Sequence, residues 1–154
     1  MNKMNKNRLC KTELNVKREI YVSNSFQKNW EYFLDKFGKK GNDAKDNIDT
    51  YYHNSVELIR QGKIGKSDSL EIKSLKFVPK KGNGKFFECK QHRVLGTCFC
   101  PRILFVNVRG TNHSILLDVI DKDSDRIGTD ILSVLSLKYR IAIKNNYANT
   151  YLNI

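Results

Sequence analysis

The segment from Lys85 to Ile120 constrains the fold most, because turn-forming residues divide it into four short runs rich in β-branched and aromatic residues. These runs are 85–91, 93–100, 102–108 and 113–120. The connection between the last two runs contains Gly110, which readily adopts the positive φ that tight turns require. The pattern predicts three or four antiparallel strands, the last two of them joined as a hairpin.

Two helical patterns precede these strands. The first follows Ser23 or Ser25 as a cap, ends at Gly38 and consists of an apolar stripe at spacings of three and four: Phe26, Trp30, Phe33, Leu34 and Phe37. After a short polar turn, a second stripe runs from Ala44 to Ile59 and stops at Gly62. Because residues 19–23 alternate as a strand does, the expected fold is α+β: an N-terminal helical hairpin packed on a sheet of three or four antiparallel strands.

The segments on either side of this region differ from it in pattern. Residues 1–18 are basic and show little apolar periodicity, which predicts an N-terminal arm. Residues 19–127 form the predicted main domain. Residues 128–154 are predicted to be a C-terminal helical extension, because apolar residues recur at helical spacing from 131 to 142. The loop predicted for 63–85 is punctuated by glycine and lysine, and residues 145–154 are expected to fray.

The apolar runs of this chain are short. The longest, 103–106 and 115–117, fall far below the roughly 20 residues that a membrane span requires. No apolar stretch of the kind found in a secretory signal follows the N-terminus. We therefore expect a cytoplasmic protein with no membrane partner.

Positive charge is concentrated in one part of the sequence. The chain has 28 Lys+Arg and 16 Asp+Glu, a formal net charge of +12. Residues 60–102 contribute +8 of this excess, with eleven Lys+Arg and three Asp+Glu. Such a cluster favours a phosphate backbone as partner, and the candidate residues for binding a nucleic acid such as RNA are Lys80, Lys81, Lys85 and Arg93. Solvated lysines that keep the protein soluble are the alternative.

The aromatic residues of this basic region have two possible roles. Phe86, Phe87 and Phe99 lie among the cations, where they could stack on bases. Side chains of a strand alternate between its two faces, so some of these rings could instead face the core.

Cys89, His92, Cys98 and Cys100 lie within twelve positions and supply soft ligands for zinc. Their spacing lacks the paired C-x2-C or H-x3-H arrangement of zinc knuckles. In a strand, Cys98 and Cys100 would share one face and could be small buried hydrophobic residues. Reduced thiols and no metal are therefore expected.

Several short segments, in the order strand, helical hairpin, basic loop and antiparallel strands, resemble the RelE/ParE superfamily of bacterial toxin–antitoxin toxins. The resemblance covers residues 19–127, and the segments that support it are 25–30, 75–77, 86–90, 102–105 and 121–126. It implies an antiparallel sheet packed on two helices. It also implies the activity of the ribosome-dependent branch, which cuts messenger RNA with clusters of lysine and arginine and thereby inhibits translation.

The same resemblance implies catalytic positions. Lys90 matches a basic strand residue at the family's cleavage site, Arg102 matches the arginine that opens the next strand, and Lys122 and Arg126 match basic residues after the final strand. We expect Lys90 and Arg102 to be exposed. The implied reaction needs no cofactor: the 2′-hydroxyl of the RNA attacks the adjacent phosphorus and leaves a cyclic phosphate. His92 is a further candidate acid or base, because imidazoles titrate near neutral pH.

Two features depart from the family pattern and leave alternatives open. Aspartates at 121, 123 and 125 surround Lys122, and the segment 93–101 is longer than the usual turn. An RNA-cleaving toxin would have an acidic antitoxin and RNA as partners and, if it belongs to the ribosome-dependent branch, the ribosome. The alternatives are a ParE-like toxin that binds DNA gyrase without cleaving RNA, a basic nucleic-acid-binding module and a small zinc-stabilised domain.

Overall fold

The protein is described by a computed structural model, which covers residues 16–39, 41–122 and 127–153. The chain forms three helices and seven strands within these ranges. In chain order the elements are β1 (Glu19–Ser23), α1 (Asn24–Gly38), α2 (Asn42–Arg60), β2 (Gly65–Ser67), β3 (Leu70–Ser74), β4 (Gly84–Gln91), β5 (Pro101–Val108), β6 (His113–Asp121), α3 (Thr129–Lys144) and β7 (Thr150–Asn153).

The first two helices form where the apolar stripes predict them. Ser23 caps α1, since its side-chain oxygen accepts a hydrogen bond from the backbone N–H of Phe26 at 3.0 Å. Phe26, Trp30 and Phe37 are buried on the inner face of this helix. The N-cap residue of α2 is Gly41, whose φ of 141° is accessible to glycine at little cost. The two helices pack against each other and against the same face of the sheet.

All seven strands belong to one mixed sheet with the order β2-β3-β4-β5-β6-β1-β7. Strand β1 pairs with β6 in parallel, and the other neighbours are antiparallel. The fold class is α+β, as expected, but the predicted sheet of three or four antiparallel strands with a RelE-like arrangement is wrong.

The three missed strands and the missed parallel pairing have separate physical reasons. Strands β2 and β7 are short sheet edges with exposed or half-buried side chains, so backbone pairing defines them and hydrophobic alternation does not. Strand β3 begins with buried Leu70 and Ile72 but lies in the segment interpreted as a loop. The parallel pairing of β1 joins residues about ninety positions apart, which local periodicity cannot reveal.

The run 93–100 is a loop rather than a strand. The backbone N–H of Val94 donates to the carbonyl of Phe99 at 2.8 Å, which closes the loop. The hydroxyl of Thr97 donates to the carbonyl of Val94 at 2.8 Å and accepts from the N–H of Phe99 at 3.0 Å. These local hydrogen bonds satisfy backbone groups that would otherwise pair with a neighbouring strand.

The sheet separates two hydrophobic layers. One face packs against α1 and α2, and this layer includes Ile72, Cys89 and Ile103. The other face packs against α3, mainly through β4, β5 and β6, and this layer includes Leu104 and Tyr139. Strand β5 is buried along its whole length because both layers meet on it. Helix α3 leaves the β2–β3 side of its own face open.

Both ends of the described chain are tied to the sheet. Residues 1–15 of the predicted arm lie outside the described residues, and Arg18 is buried and donates to the Ser114 hydroxyl at 2.8 Å and to the His113 carbonyl at 2.7 Å. Strand β7, in the segment expected to fray, is antiparallel to β1. Within the described ranges, no helix is both long enough and apolar enough to cross a membrane.

Packing in the α3 layer requires a residue without a side chain at position 84. A Cβ atom at this position would lie 2.7 Å from a methyl carbon of Val106 and 2.8 Å from the ring of Tyr139. We expect Gly84→Ala to lower the free energy of unfolding by about 1–3 kcal/mol, measured by urea denaturation, because a packed core resists added volume. Gly38→Ala is the matched control, since its Cβ would meet ordinary contacts at 3.7 Å or more. Equal stability of the two variants would contradict this account.

Candidate functional site

A row of charged residues crosses four strands on the face that α3 leaves open. Lys66 of β2 lies opposite Glu71 of β3, Glu71 lies opposite Lys90 of β4, and Lys90 lies opposite Arg102 of β5. Directly opposed residues point to the same face of a sheet, with Cβ atoms about 4.5–5.5 Å apart. The row therefore places one carboxylate and three cations side by side.

One ion pair lies within this row, and a second connects it to the next row. Lys90 Nζ lies 3.6 Å from Glu71 Oε1, and Arg102 Nη1 donates to Glu88 Oε1 at 2.9 Å. Glu88 lies opposite Lys73 in the second row. Two like charges directly opposite each other destabilise a sheet, and the carboxylates of Glu71 and Glu88 offset the repulsion between Lys90 and Arg102.

Arg102 and Glu88 are both buried, with side-chain exposures of 5% and 4%. The expectation that Arg102 is exposed is therefore wrong, and Lys90 is only half-buried. Burial raises the pKa of Glu88, and the positive charges of Arg102 and Lys90 act against that rise. Arg102 is thus held by a desolvated carboxylate, which fixes the direction of its guanidinium plane.

Two cavities lie end to end along β3 and share Glu71 in their walls. One, of about 270 Å³, is lined by residues that include Lys66, Asp68, Lys90, His92 and Arg102. The other, of about 600 Å³, continues towards the end of β3. We call the two cavities together the β3 groove. Its charged or titratable lining residues are Lys66, Asp68, Glu71, Lys73, Lys76, Glu88, Lys90, His92 and Arg102.

Three of the predicted catalytic residues, Lys90, His92 and Arg102, thus line the same cavity. Lys122 does not: it lines a separate cavity of about 570 Å³ between α1 and the end of β6, together with Asp118 and Asp121. Arg126 lies outside the described residues.

The predicted RNA-binding residues are divided between two places. Lys80 and Lys81 lie in the exposed turn before β4, and Lys85 is near the start of that strand. Lys85 and Lys90 are five residues apart on β4, about 17 Å along the strand. Arg93 lies in the loop after β4 and lines a cavity of about 630 Å³ that includes His92. The basic segment therefore does not converge on one surface.

The cysteines have different environments. Cys89 is buried in the helix-side layer, and burial raises its pKa to about 12. Cys98 is exposed on the loop between β4 and β5, whereas Cys100 is buried. Across residues 16–39, 41–122 and 127–153, no group of three or more His, Cys, Asp or Glu side chains could hold a metal ion.

The aromatic residues near the cations face inwards. Phe86, Phe87 and Phe99 have exposures of 2% or less. They pack in the two hydrophobic layers, so they offer no surface to a base. The exposed aromatic residue of the basic region is Phe77, which lines the larger cavity of the β3 groove.

Sequence reasoning missed Lys66, Glu71 and Lys73 because it treated 63–85 as a loop. It missed Glu88, which lies on a predicted strand, because the pairing of Glu88 with Arg102 depends on the cross-strand register. A signal was present: Leu70 and Ile72 alternate with Glu71 and Lys73, which is the period of a half-buried strand. The run is only five residues long, and the lysines and glycines around it obscure the period.

The β3 groove combines cations that bind phosphate with groups that transfer protons. Arginine presents a planar fork that matches two phosphate oxygens, and lysine supplies a compact charge. Carboxylates and imidazoles are the usual general bases and acids. The arrangement of Glu71, Lys90, His92 and Arg102 can therefore hold a phosphodiester and move protons on either side of it.

The buried pair of Arg102 and Glu88 provides a prediction for stability. In Arg102→Met, the Glu88 carboxylate loses the cation that opposes its desolvation, so its folded-state pKa rises further above the unfolded value. Such a carboxyl contributes stability at low pH that is lost as pH rises through the folded pKa. We expect a loss of about 3–5 kcal/mol at pH 8 and a smaller loss at pH 5, measured by urea unfolding.

The double variant Glu88→Leu/Arg102→Met is the control for this prediction. It removes both charges, so its stability should exceed that of Arg102→Met at pH 8. A loss that is equal at the two pH values, or a double variant less stable than the single one, would contradict the desolvation account.

Comparison with known proteins identifies no relative of the chain. No protein-family model matches it. No curated protein and no solved structure matches it either. Support for a function therefore comes from the residues of the chain itself. Glu71, Lys90, His92 and Arg102 of the β3 groove combine cations with groups that can transfer protons in one cavity.

Proposed function

We propose that this protein binds RNA in the β3 groove and cleaves it by attack of a 2′-hydroxyl on the adjacent phosphorus. The observation that supports this proposal is the direct opposition of Lys90 and Arg102 in a cavity that also contains Glu71 and His92. An anion bound beside two neighbouring cations is attracted by both of them. A phosphodiester is such an anion.

Each residue of the cavity has a role in this reaction. Glu71 accepts the proton of the attacking 2′-hydroxyl, and His92 donates a proton to the leaving 5′-oxygen. Lys90 and Arg102 stabilise the charge that develops on the phosphorane oxygens. Glu88 is a positioning residue, since its bond to Arg102 fixes the guanidinium. The P–O5′ bond breaks as the P–O2′ bond forms, and a 2′,3′-cyclic phosphate remains.

The rest of the groove supplies binding along the RNA. Lys66, Lys73 and Lys76 are exposed and line the walls on both sides of Glu71. Exposed lysines neutralise phosphates and release counterions, which makes affinity depend on salt. The carboxylates of the groove are fewer than its cations, so the net field along it is positive.

As a cellular function we propose translation inhibition by a toxin of a toxin–antitoxin system, acting in the cytoplasm on messenger RNA. This extension rests on the resemblance of short segments to RelE/ParE toxins and on the cleavage activity proposed above. An acidic antitoxin is the corresponding partner, because the chain carries a net charge of +12.

A second candidate is nucleic-acid binding without cleavage. One observation favours it: Lys90 and Arg102 each have a carboxylate partner, which reduces the positive charge available to a transition state. In that case RNA would bind in the groove and remain intact.

The test is cleavage of a fluorescent single-stranded RNA by purified protein, with mass spectrometry of the products. We expect a 2′,3′-cyclic phosphate, no effect of a metal chelator and no cleavage of the 2′-deoxy analogue. Lys90→Met and His92→Gln should each lower the cleavage rate by about 10²-fold or more, since charge stabilisation and acid–base catalysis contribute factors of this size. Lys45→Met, an exposed lysine of α2, is the matched control and should cleave normally.

Three outcomes would separate the candidates. Cleavage that both variants retain would exclude the assigned residues. Binding without cleavage would support the second candidate. Cleavage products with a linear phosphate and a requirement for metal would contradict attack by the 2′-hydroxyl.

A further inference from the structure

Phe77 has an unusual exposure and backbone conformation. Its side chain is 84% exposed, the largest value among the large apolar residues that the structure describes as exposed. Its φ is +66°, in the left-handed region that bulky residues rarely adopt. Both features are unfavourable, because the ring stays in water and the backbone adopts a sparsely populated conformation.

The neighbours of Phe77 hold it in this position. Val78 is buried in the α3 layer, and Leu75 packs against the same layer. The N–H of Leu75 donates to the carbonyl of Phe86 at 2.8 Å, which continues the β3–β4 ladder beyond the end of β3. The chain is therefore anchored on both sides of Phe77, and the ring projects into solvent at the mouth of the larger cavity.

Two lysines, Lys73 and Lys76, line the same cavity as this ring. An exposed aromatic ring among lysines is the arrangement that binds single-stranded nucleic acid, in which bases stack on rings while cations contact phosphates. The carboxylate of Glu71, shared by both cavities, links this end of the groove to the cleavage site.

From this geometry, and resting on the proposed function, we infer that Phe77 stacks on one base of a single-stranded RNA whose backbone follows the β3 groove to Lys90 and Arg102. The strand must be single, because the bases of an A-form duplex are stacked on one another and present no free face. Phe77 is six positions after Glu71 and lines the larger cavity, whereas Lys90, His92 and Arg102 line the smaller one. The stacked base therefore lies outside the cleavage site, and Phe77 is a positioning residue.

The experiment measures binding separately from cleavage. Fluorescence anisotropy with a 2′-O-methyl RNA of twelve nucleotides, which cannot be cleaved through its 2′-oxygen, reports affinity alone. We expect Phe77→Ala to raise Kd by about 5- to 150-fold, the range for loss of one base–aromatic stack, and Phe77→Trp to bind at least as tightly as the wild type. A duplex of the same sequence should bind with equal affinity to the wild type and Phe77→Ala.

The matched control is Tyr32→Ala. Tyr32 is also an exposed aromatic residue, and the ammonium of Lys36 lies 5.9 Å from its ring centroid. It lies on α1, outside the β3 groove, so its removal should leave RNA affinity unchanged. Circular dichroism of each variant checks that the fold is intact.

Binding of RNAs that each carry one abasic nucleotide distinguishes base stacking by Phe77 from a purely structural role of this residue. A single abasic nucleotide is placed at each position of the RNA in turn. One position should weaken binding to the wild type and have no effect on binding to Phe77→Ala, because ring and base form one stack and their losses are not additive. In cleavage assays, Phe77→Ala should raise KM and leave kcat unchanged.

The failures of the two proposals are distinguishable. If RNA binds and Phe77→Ala has the affinity of the wild type, the stacking inference is overturned while the proposed function stands. If every abasic position weakens binding to both proteins equally, the stacking inference is also overturned. If the wild type does not bind RNA, both proposals fail.

Discussion

Among the described residues, a single helix of 16 residues packs on one face of the seven-stranded sheet, and this difference in size determines where charged side chains of that face can remain outside the hydrophobic layer. Seven strands at about 4.8 Å spacing span about 29 Å, whereas a helix with its side chains is about 10 Å wide. Helix α3 packs over β4, β5 and β6 and buries their apolar residues. Within the described ranges, helix α3 leaves the β2–β3 side of the same face uncovered, and the charged row across β2, β3, β4 and the start of β5 lies there.

The charged row is stable because each cation near the covered edge has a carboxylate within reach. Arg102 is the most buried of these cations, and its bond to Glu88 compensates for the desolvation of both groups. Lys90, farther from α3, keeps a longer contact with Glu71. This arrangement also suits the proposed reaction, since Arg102, whose guanidinium must be held in one direction, is buried. The lysines proposed to bind flanking phosphates, Lys66, Lys73 and Lys76, are exposed at the surface.

Local patterns predicted the helices and central strands but could not predict the edges of the sheet. The stripe from Phe26 to Phe37 and the runs around β4, β5 and β6 have the periods that burial imposes. Strands β2 and β7 have no such period, because only their backbones are paired. For the site, the resemblance to RelE/ParE toxins indicated Lys90 and Arg102, and residue type indicated His92, whereas Glu71 and Glu88 depend on cross-strand register. Register is a tertiary property. The inward orientation of Phe86, Phe87 and Phe99 likewise depends on both faces of the sheet being covered.

The central claim is that RNA lies along β3, and nuclear magnetic resonance tests it most directly. Titration of isotope-labelled protein with a non-cleavable single-stranded RNA reports which backbone amides change environment. The account predicts that the shifts concentrate at Lys66, Glu71, Phe77, Lys90 and His92, with few on the outer faces of α1 and α2. Shifts that concentrate instead at the turn containing Lys80 and Lys81, on α3, or on the cavity around Lys122 would contradict it.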